Sequence, residues 1–338
     1  MTRHRVIALL VALAVPLAGG CTIGDVSDPA DDAEQPTAFP ATVESCGEEV
    51  TVRAVPQRVV VNDPAVFELL LELGLHDHLA GYAGAGDQRN IPEQYAEQYA
   101  NIPELSSADF TLEDILEAEA DLVIAGWMQG FSQQTGLTPE ALREAGIPSY
   151  ALSETCRRVI DNLPPASVDE YFDDVRNIGV LFGVSDRAEQ LVTEWQRKIL
   201  DVQACVSDSP RPPARTVTIS GGDAEIAETA PGLTFASFLD RLAGGENIFS
   251  DVPRLWGAMS WSAVAERDPE VIVVVDNATG PSPEETLSLI RSRPELNTVD
   301  AIVSDRVLVL RRSEVYAGPL LGEGVAARAS VMHPDTCG

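Results

Sequence analysis

The sequence predicts an α/β protein of two pseudo-symmetric lobes with parallel-rich sheets, joined by a long helix, with a ligand cleft between the lobes. Three observations carry this: β-branched runs alternate with helical ones in both halves, a purely helical stretch interrupts them, and one helix–strand unit recurs on either side of it. In the first half, Arg58–Asn62, Leu79–Tyr82, Asp121–Ala125 and Ser149–Leu152 read as strands. The helices between them are Ala65–Leu73, Leu112–Glu119 and Pro139–Glu144. Asp63-Pro64, Thr138-Pro139 and Ser282-Pro283 each place a capping side chain ahead of proline at the first helical position, and Glu285 completes a capping box with Ser282. From Ser167 the pattern becomes helical only, over Val168–Phe182 and Asp186–Val206, until Pro210, Pro212 and Pro213 stop it. Strands resume at Thr216–Ser220, Val271–Val275 and Arg306–Leu310. The recurring unit lays Leu112–Ala125 on Trp261–Val274, matching Glu117 to Glu266 and Asp121 to Glu270. The expected organisation is a signal peptide over 1–20, a lipidated cysteine and disordered tether over 21–45, lobes over 46–166 and 208–338, and a connecting helical segment over 167–207.

The N-terminus supports the first of these assignments. Arg3 and Arg5 precede an uncharged run from Val6 to Gly20, too short to span a bilayer and suited to a signal peptide. Leu17-Ala-Gly-Gly-Cys21 resembles a bacterial lipobox, which implies acylation of Cys21 and an anchor on the outer face of the cell membrane. Thr22 to Ser45, rich in Asp, Pro, Ala and Thr, reads as a tether. The chain has 338 residues with 53 acidic against 23 basic side chains, a net charge of −30, and 45% hydrophobic residues. Such acidity excludes nucleic acid as a partner, since phosphate binding needs clustered cations. Four further cysteines, Cys46, Cys156, Cys205 and Cys337, form two disulfides in an exported chain. Three pairings are open, and the one preferred ties the chain ends, Cys46 with Cys337 and Cys156 with Cys205.

Seven fragments in order carry a family resemblance. Pro56-Gln-Arg-Val-Val-Val61, Glu68-Leu-Leu-Leu-Glu-Leu-Gly74 and Asp121-Leu-Val-Ile-Ala125 are followed by Leu242-Ala-Gly-Gly-Glu-Asn-Ile-Phe249, Trp256-Gly-Ala-Met-Ser-Trp261 with Arg267-Asp-Pro-Glu-Val-Ile-Val273, and Asp305-Arg-Val-Leu-Val309. Together they resemble the iron-siderophore and cobalamin substrate-binding proteins of ABC importers, from about Pro56 to Met332. The resemblance implies two α/β lobes on a long helix, ligand between them, modest closure, and an ABC permease with its ATPase as partners. It also implies one acidic residue on each lobe's rim for permease docking. Glu113 matches the first; Ser262 stands at the second position, so Glu266, one turn later, is the substitute.

Ligands of open α/β sheets sit beyond the carboxyl ends of the strands. That rule selects Asn62-Asp63, Tyr82-Ala83 and Trp127-Met128 from the first lobe, and Ser220–Asp223, Trp256-Gly257, Asn277 and Arg311-Arg312 with Tyr316 from the second. The ligand-binding candidates are therefore Asp63, Tyr82, Trp127, Trp256, Arg311, Arg312 and Tyr316. Aromatic rings pack a bulky chelator, and an arginine donates a bidentate hydrogen bond to a ligand oxygen, although strand alternation lets only one of Arg311 and Arg312 face the cleft. His76, His78 and His333 are too few and too scattered for direct metal capture, and no Walker loop, G-x-S-x-G elbow or dinucleotide fingerprint is present. The expectation is a monomeric, lipid-anchored binding protein, not an enzyme, without a resident cofactor or metal, that captures a ferric siderophore. Overall acidity favours a hydroxamate complex over an anionic catecholate. The alternatives are cobalamin, haem with Tyr316 or Tyr82 as an axial phenolate, or a non-transport cell-envelope protein on the same fold.

Overall fold

The described chain opens with a β-hairpin, β1 (Ala41–Ser45) and β2 (Glu48–Val52), running antiparallel from Ala41 opposite Val52 to Ser45 opposite Glu48. The computed structural model describes residues 39–84, 91–107, 109–277 and 280–338; the signal segment, Cys21 and the tether as far as residue 38 lie outside the described residues. The hairpin corrects the tether expected up to Ser45. Ala41, Val43 and Ser45 alternate inward with exposed Thr42 and Glu44, and the Cys46-Gly47 turn has both φ angles positive, 49° and 81°, which suits a two-residue hairpin.

The first lobe's sheet contains β3 (Val59–Asn62), β4 (Leu79–Ala83), β5 (Glu104–Ser106), β6 (Leu122–Trp127), β7 (Gly130–Phe131) and β8 (Ser149–Ala151). Its order is β5-β4-β3-β6, with β7 and β8 sharing the far edge of β6, and every pairing is parallel. Helices cover both faces, so Val59, Val60, Val61 and Leu122 to Ala125 are all buried. Helices Pro64–Glu72 and Pro139–Glu144 begin at their expected caps, Asp63 and Thr138, and Leu112–Glu117 begins at Thr111; each of the three accepts a first-turn amide.

The second lobe's sheet contains β9 (Ala214–Gly222), β10 (Ile226–Thr229), β11 (Gly245–Asn247), β12 (Gly257–Ser260), β13 (Val271–Asp276) and β14 (Val307–Arg311). The order is β12-β10-β9-β13-β14, with β11 alongside the start of β9. The strands β10 and β12, absent from the sequence reading, run antiparallel and make this edge mixed.

The internal repeat has a hydrogen-bonded counterpart in the structure. Asp121 Oδ1 accepts Arg58 N at 2.9 Å, and Glu270 Oε2 accepts Arg215 N at 2.9 Å. The same arginines donate Nε to Ala118 O at 2.9 Å and Asp268 O at 2.7 Å. Thr111 and Ser260 cap equivalent helices, accepting Asp114 N and Ala263 N. Each helix-to-strand turn is thus tied to the strand beside it in the same way.

Between the lobes run helices Val168–Phe182 and Ser185–Ser207, separated by Gly183 in the left-handed region at φ 69°. A Cβ on Gly179 would sit 2.5 Å from Ala188 Cβ, so the glycine permits the close approach of the pair. Tyr171 stacks on Trp195 with ring centres 5.8 Å apart and meets Phe235 of the second lobe edge-on at 6.0 Å. One continuous core therefore links Val59 and Phe67 of the first lobe through Trp195 to Phe235 and Val271 of the second.

The disulfides are Cys46–Cys156 and Cys205–Cys337, with Cα separations of 5.2 and 5.3 Å. This overturns the preferred pairing of Cys46 with Cys337 and Cys156 with Cys205. Ser45 Oγ donates to Ala151 O at 2.9 Å and accepts Ala151 N at 2.8 Å, which lays the hairpin turn on the end of β8 and brings Cys46 to Cys156. The C-terminal helices Leu321–Met332 and Pro334–Cys337 return along Ser185–Ser207 and deliver Cys337 to Cys205. Each bridge stays within one half of the molecule.

Candidate functional site

The carboxyl ends of the two sheets meet at one pair of side chains. Asp63, just past β3, takes a left-handed φ of 92°, donates its amide to Ala83 O at 3.2 Å and caps the Pro64–Glu72 helix through Oδ1 to Ala65 N at 2.9 Å. Its other oxygen, Oδ2, accepts from Arg312 Nε at 2.8 Å and also from Arg312 Nη2. Arg312 follows β14 directly, so this ion pair crosses from one lobe to the other. Side-chain exposure is 7% for Asp63 and 21% for Arg312.

Second-lobe residues complete the surroundings. The guanidinium lies over the Tyr316 ring, 4.7 Å from its centre, and Tyr316 packs against Trp256 at 5.5 Å. Arg312 Nη1 reaches Asn277 Oδ1 at 3.4 Å, and Asn277 Nδ2 reaches Ser220 O at 3.5 Å. Glu154, three residues beyond β8, accepts Phe235 N at 2.9 Å across the lobes and lies within electrostatic range of Arg312. Burial opposes the charge on Arg312, but the Asp63 carboxylate outweighs it and holds the guanidinium above its ordinary range. Burial pushes the Tyr316 phenol upward and raises the Glu154 carboxyl.

The structure therefore brings together Asp63, Arg312, Tyr316 and Trp256 and leaves other candidates elsewhere. Tyr82 is 1% exposed, packed between Phe67 at 4.7 Å and Tyr99 at 5.2 Å, and burial pushes its phenol up to about 12. That corrects its assignment to the cleft and removes it as an axial phenolate, because its side chain points to the core face of β4. Arg311 is exposed at the end of β14, its amide donating to Glu314 Oε2 at 2.7 Å, so Arg312 is the arginine that faces the first lobe. Trp127 packs edge-on to Phe131 at 6.2 Å and lines a groove of about 1060 Å³ between the hairpin and the Pro139–Glu144 helix. Glu113 and Ser262 are both exposed in the first turn of the equivalent capped helices, and Glu266 is exposed one turn beyond Ser262. His78 is taken up by Pro56 O, with Nδ1 at 2.6 Å. Among the described residues, no three His, Cys, Asp or Glu side chains converge to hold a metal ion.

Glu68 and Glu154 escaped the sequence reading. Glu154 lay within reach of the strand-end rule, three residues after β8, whereas Glu68 sits mid-helix among leucines and gives no signal. It is 2% exposed and its Oε2 has no hydrogen-bond partner among the described residues; burial pushes its carboxyl up to about 8. Between its ordinary 4.5 and about 8 the folded state holds a proton that the unfolded state has released, so stability falls as pH rises through that window. Glu68→Gln is expected to flatten this fall and to be the more stable form at the alkaline end, by on the order of a few kcal/mol. Urea unfolding at both ends of the window checks it; an unchanged pH slope contradicts it.

A family model described as "Periplasmic binding protein" matches residues 59–313. An uncharacterized ABC transporter substrate-binding lipoprotein of Bacillus subtilis is 24% identical over 339 residues, covering 99% of this chain and 98% of the relative. A vitamin B12-binding protein of Pectobacterium carotovorum is 25% identical over 237 residues, 70% of this chain and 75% of its own length. Among solved structures, an ABC-type Fe3+-hydroxamate transport system from Saccharomonospora viridis superposes with a TM-score of 0.74 at 23% identity, covering 87% of this chain and 99% of that one. A periplasmic heme-binding protein from Pseudomonas aeruginosa gives 0.66 at 20% identity, over 83% and 94%. At these identities the solved structures establish a shared fold.

Proposed function

The chain belongs to the periplasmic binding protein family, and from that premise we propose that it captures a ferric siderophore, a hydroxamate in preference to a catecholate, outside the cytoplasm and delivers it to an ABC permease. The family consists of transport binding proteins, which are not enzymes. The observation that carries the reading is the cross-lobe cluster of Asp63, Arg312, Tyr316 and Trp256 at the facing carboxyl ends of the two sheets. It combines apolar ring surface with fixed polar groups, the usual make-up of a small-molecule site. Anchoring through acylated Cys21 and docking of the permease on Glu113 and Glu266 belong to the same reading, with the acidic body held as a monomer at the membrane surface. Cobalamin is the second reading, supported by the B12-binding relatives.

Tryptophan fluorescence of the soluble body, titrated with ferrioxamine, ferrichrome, a ferric catecholate, cobalamin and haem and corrected for ligand absorbance, tests the proposal. A saturable sub-micromolar response to a hydroxamate is expected, with Trp256→Ala weakening affinity by roughly tenfold or more, as loss of a buried aromatic contact does. A response to cobalamin alone moves the assignment to the second reading. No response to any of them overturns both, and a loss confined to Trp127→Ala moves the site to the first-lobe groove.

A further inference from the structure

We propose that the Asp63–Arg312 pair makes the site selective for ligands without an anionic group, admitting neutral or cationic complexes and refusing anionic ones; the inference rests on the binding reading above. The guanidinium is already engaged on both its edges. Nε and Nη2 go to Asp63, Nη1 reaches Asn277, and one face is covered by Tyr316. An anionic ligand oxygen can take the bidentate Nε–Nη2 edge of Arg312 only by displacing the Asp63 carboxylate. That carboxylate is nearly enclosed, and its remaining partner is the helix amide of Ala65. Displaced, it is left buried beside Glu68, with Glu154 also within range of the vacated arginine.

A buried charge stripped of its partner is far costlier than the exchange of one exposed partner for another. Arg312 is neutralised by Asp63 before any ligand arrives, and Glu154 lies within electrostatic range of Arg157, Arg312 and Arg158, with Arg157 itself bound to Glu170 at 2.8 Å. Arg312 is therefore not free to balance an incoming anion, and the chain's net charge of −30 repels one at a distance. A neutral chelate leaves the pair intact and rests against the Trp256 and Tyr316 rings.

The test keeps the iron chelate constant and varies only its charge. Ferrioxamine with a terminal ammonium, its N-acetyl derivative and its N-succinyl derivative share one ferric trihydroxamate core and carry one positive, zero and one negative charge. The unmodified protein is expected to bind the first two comparably and the succinyl form at least about tenfold more weakly. Asp63→Asn removes the charge while keeping a good helix cap and a residue tolerant of positive φ. In this variant the gap is expected to close or invert. If its melting curve shows that it does not fold, Glu154→Gln, which retains an acceptor for Phe235 N, is expected to narrow the gap instead. Equal affinity for all three complexes in the unmodified protein, or a gap that persists in every folded variant, overturns the inference. Binding of none of the three overturns the hydroxamate reading instead, and the same charge comparison then falls to cyanocobalamin and its monocarboxylic acid.

Discussion

Arg328→Ala is expected to lower the stability of the folded protein by about 3–5 kcal/mol, the scale for removing one member of a fully buried ion pair. Arg328 and Asp240 are both wholly buried, joined through Nε to Oδ1 at 3.0 Å. Asp240 also accepts Thr216 Oγ1 at 2.8 Å, which ties the Phe235–Leu242 helix to β9. Arg328 Nη1 meanwhile donates to Glu314 O at 3.0 Å and Gly324 O at 2.9 Å. The contact is tight, since a Cβ on Gly324 would lie 1.9 Å from Glu314 O. Truncation leaves a buried carboxylate without its cation and frees the carbonyl of the turn that begins at Arg312. Stability and ligand affinity should therefore fall together. Urea unfolding measures the first; a loss below about 1 kcal/mol contradicts the assigned role.

Asp63→Ala is the second large effect, with an expected loss of about 2–4 kcal/mol. The pair it breaks is less enclosed than Arg328–Asp240, because Arg312 keeps 21% of its side chain exposed and water recovers part of the stranded charge. The helix cap adds about 1 kcal/mol, since alanine cannot accept the Ala65 amide. A double-mutant cycle with Arg312→Ala separates the two contributions: the coupling energy reports the pair, and the loss surviving in the Arg312→Ala background reports the cap and the strained φ. Coupling indistinguishable from zero would mean that the cross-lobe pair does not hold in solution.

Strand periodicity and proline-marked caps sufficed for the alternating architecture. The caps Asp63, Thr138 and Ser282 stand where hydrogen bonds are observed, whereas the cap at Thr111, with no proline to announce it, is not read from the sequence. What periodicity could not see was short or polar. β10 and β12 span four residues each at a sheet edge, and Gly257-Ala-Met-Ser260 has no apolar run to mark it. The hairpin was hidden by acidic residues on its solvent face, although Ala41, Val43 and Ser45 alternate.

The strand-end rule located Asp63 and Arg312, because a residue just past a strand is at a sheet's carboxyl edge whichever way the chain then turns. It failed for Tyr82, which lies inside the strand, where the pleat sends the side chain to one face or the other. Disulfide pairing depends on the tertiary path of the hairpin and the last helices, which no spacing encodes. Glu68 illustrates the same limit: its raised carboxyl comes from burial in the folded protein, which a glutamate among leucines does not announce.

The most direct test of the central claim is the position of the iron. Crystals of the soluble body with a ferric trihydroxamate, measured at the iron absorption edge, give the metal's location without reference to any side chain. The account predicts an anomalous peak between the lobes, next to the Trp256 and Tyr316 rings, with Asp63 and Arg312 still paired beside it. A peak in the first-lobe groove beside Trp127 and the β1–β2 hairpin would contradict the assigned site.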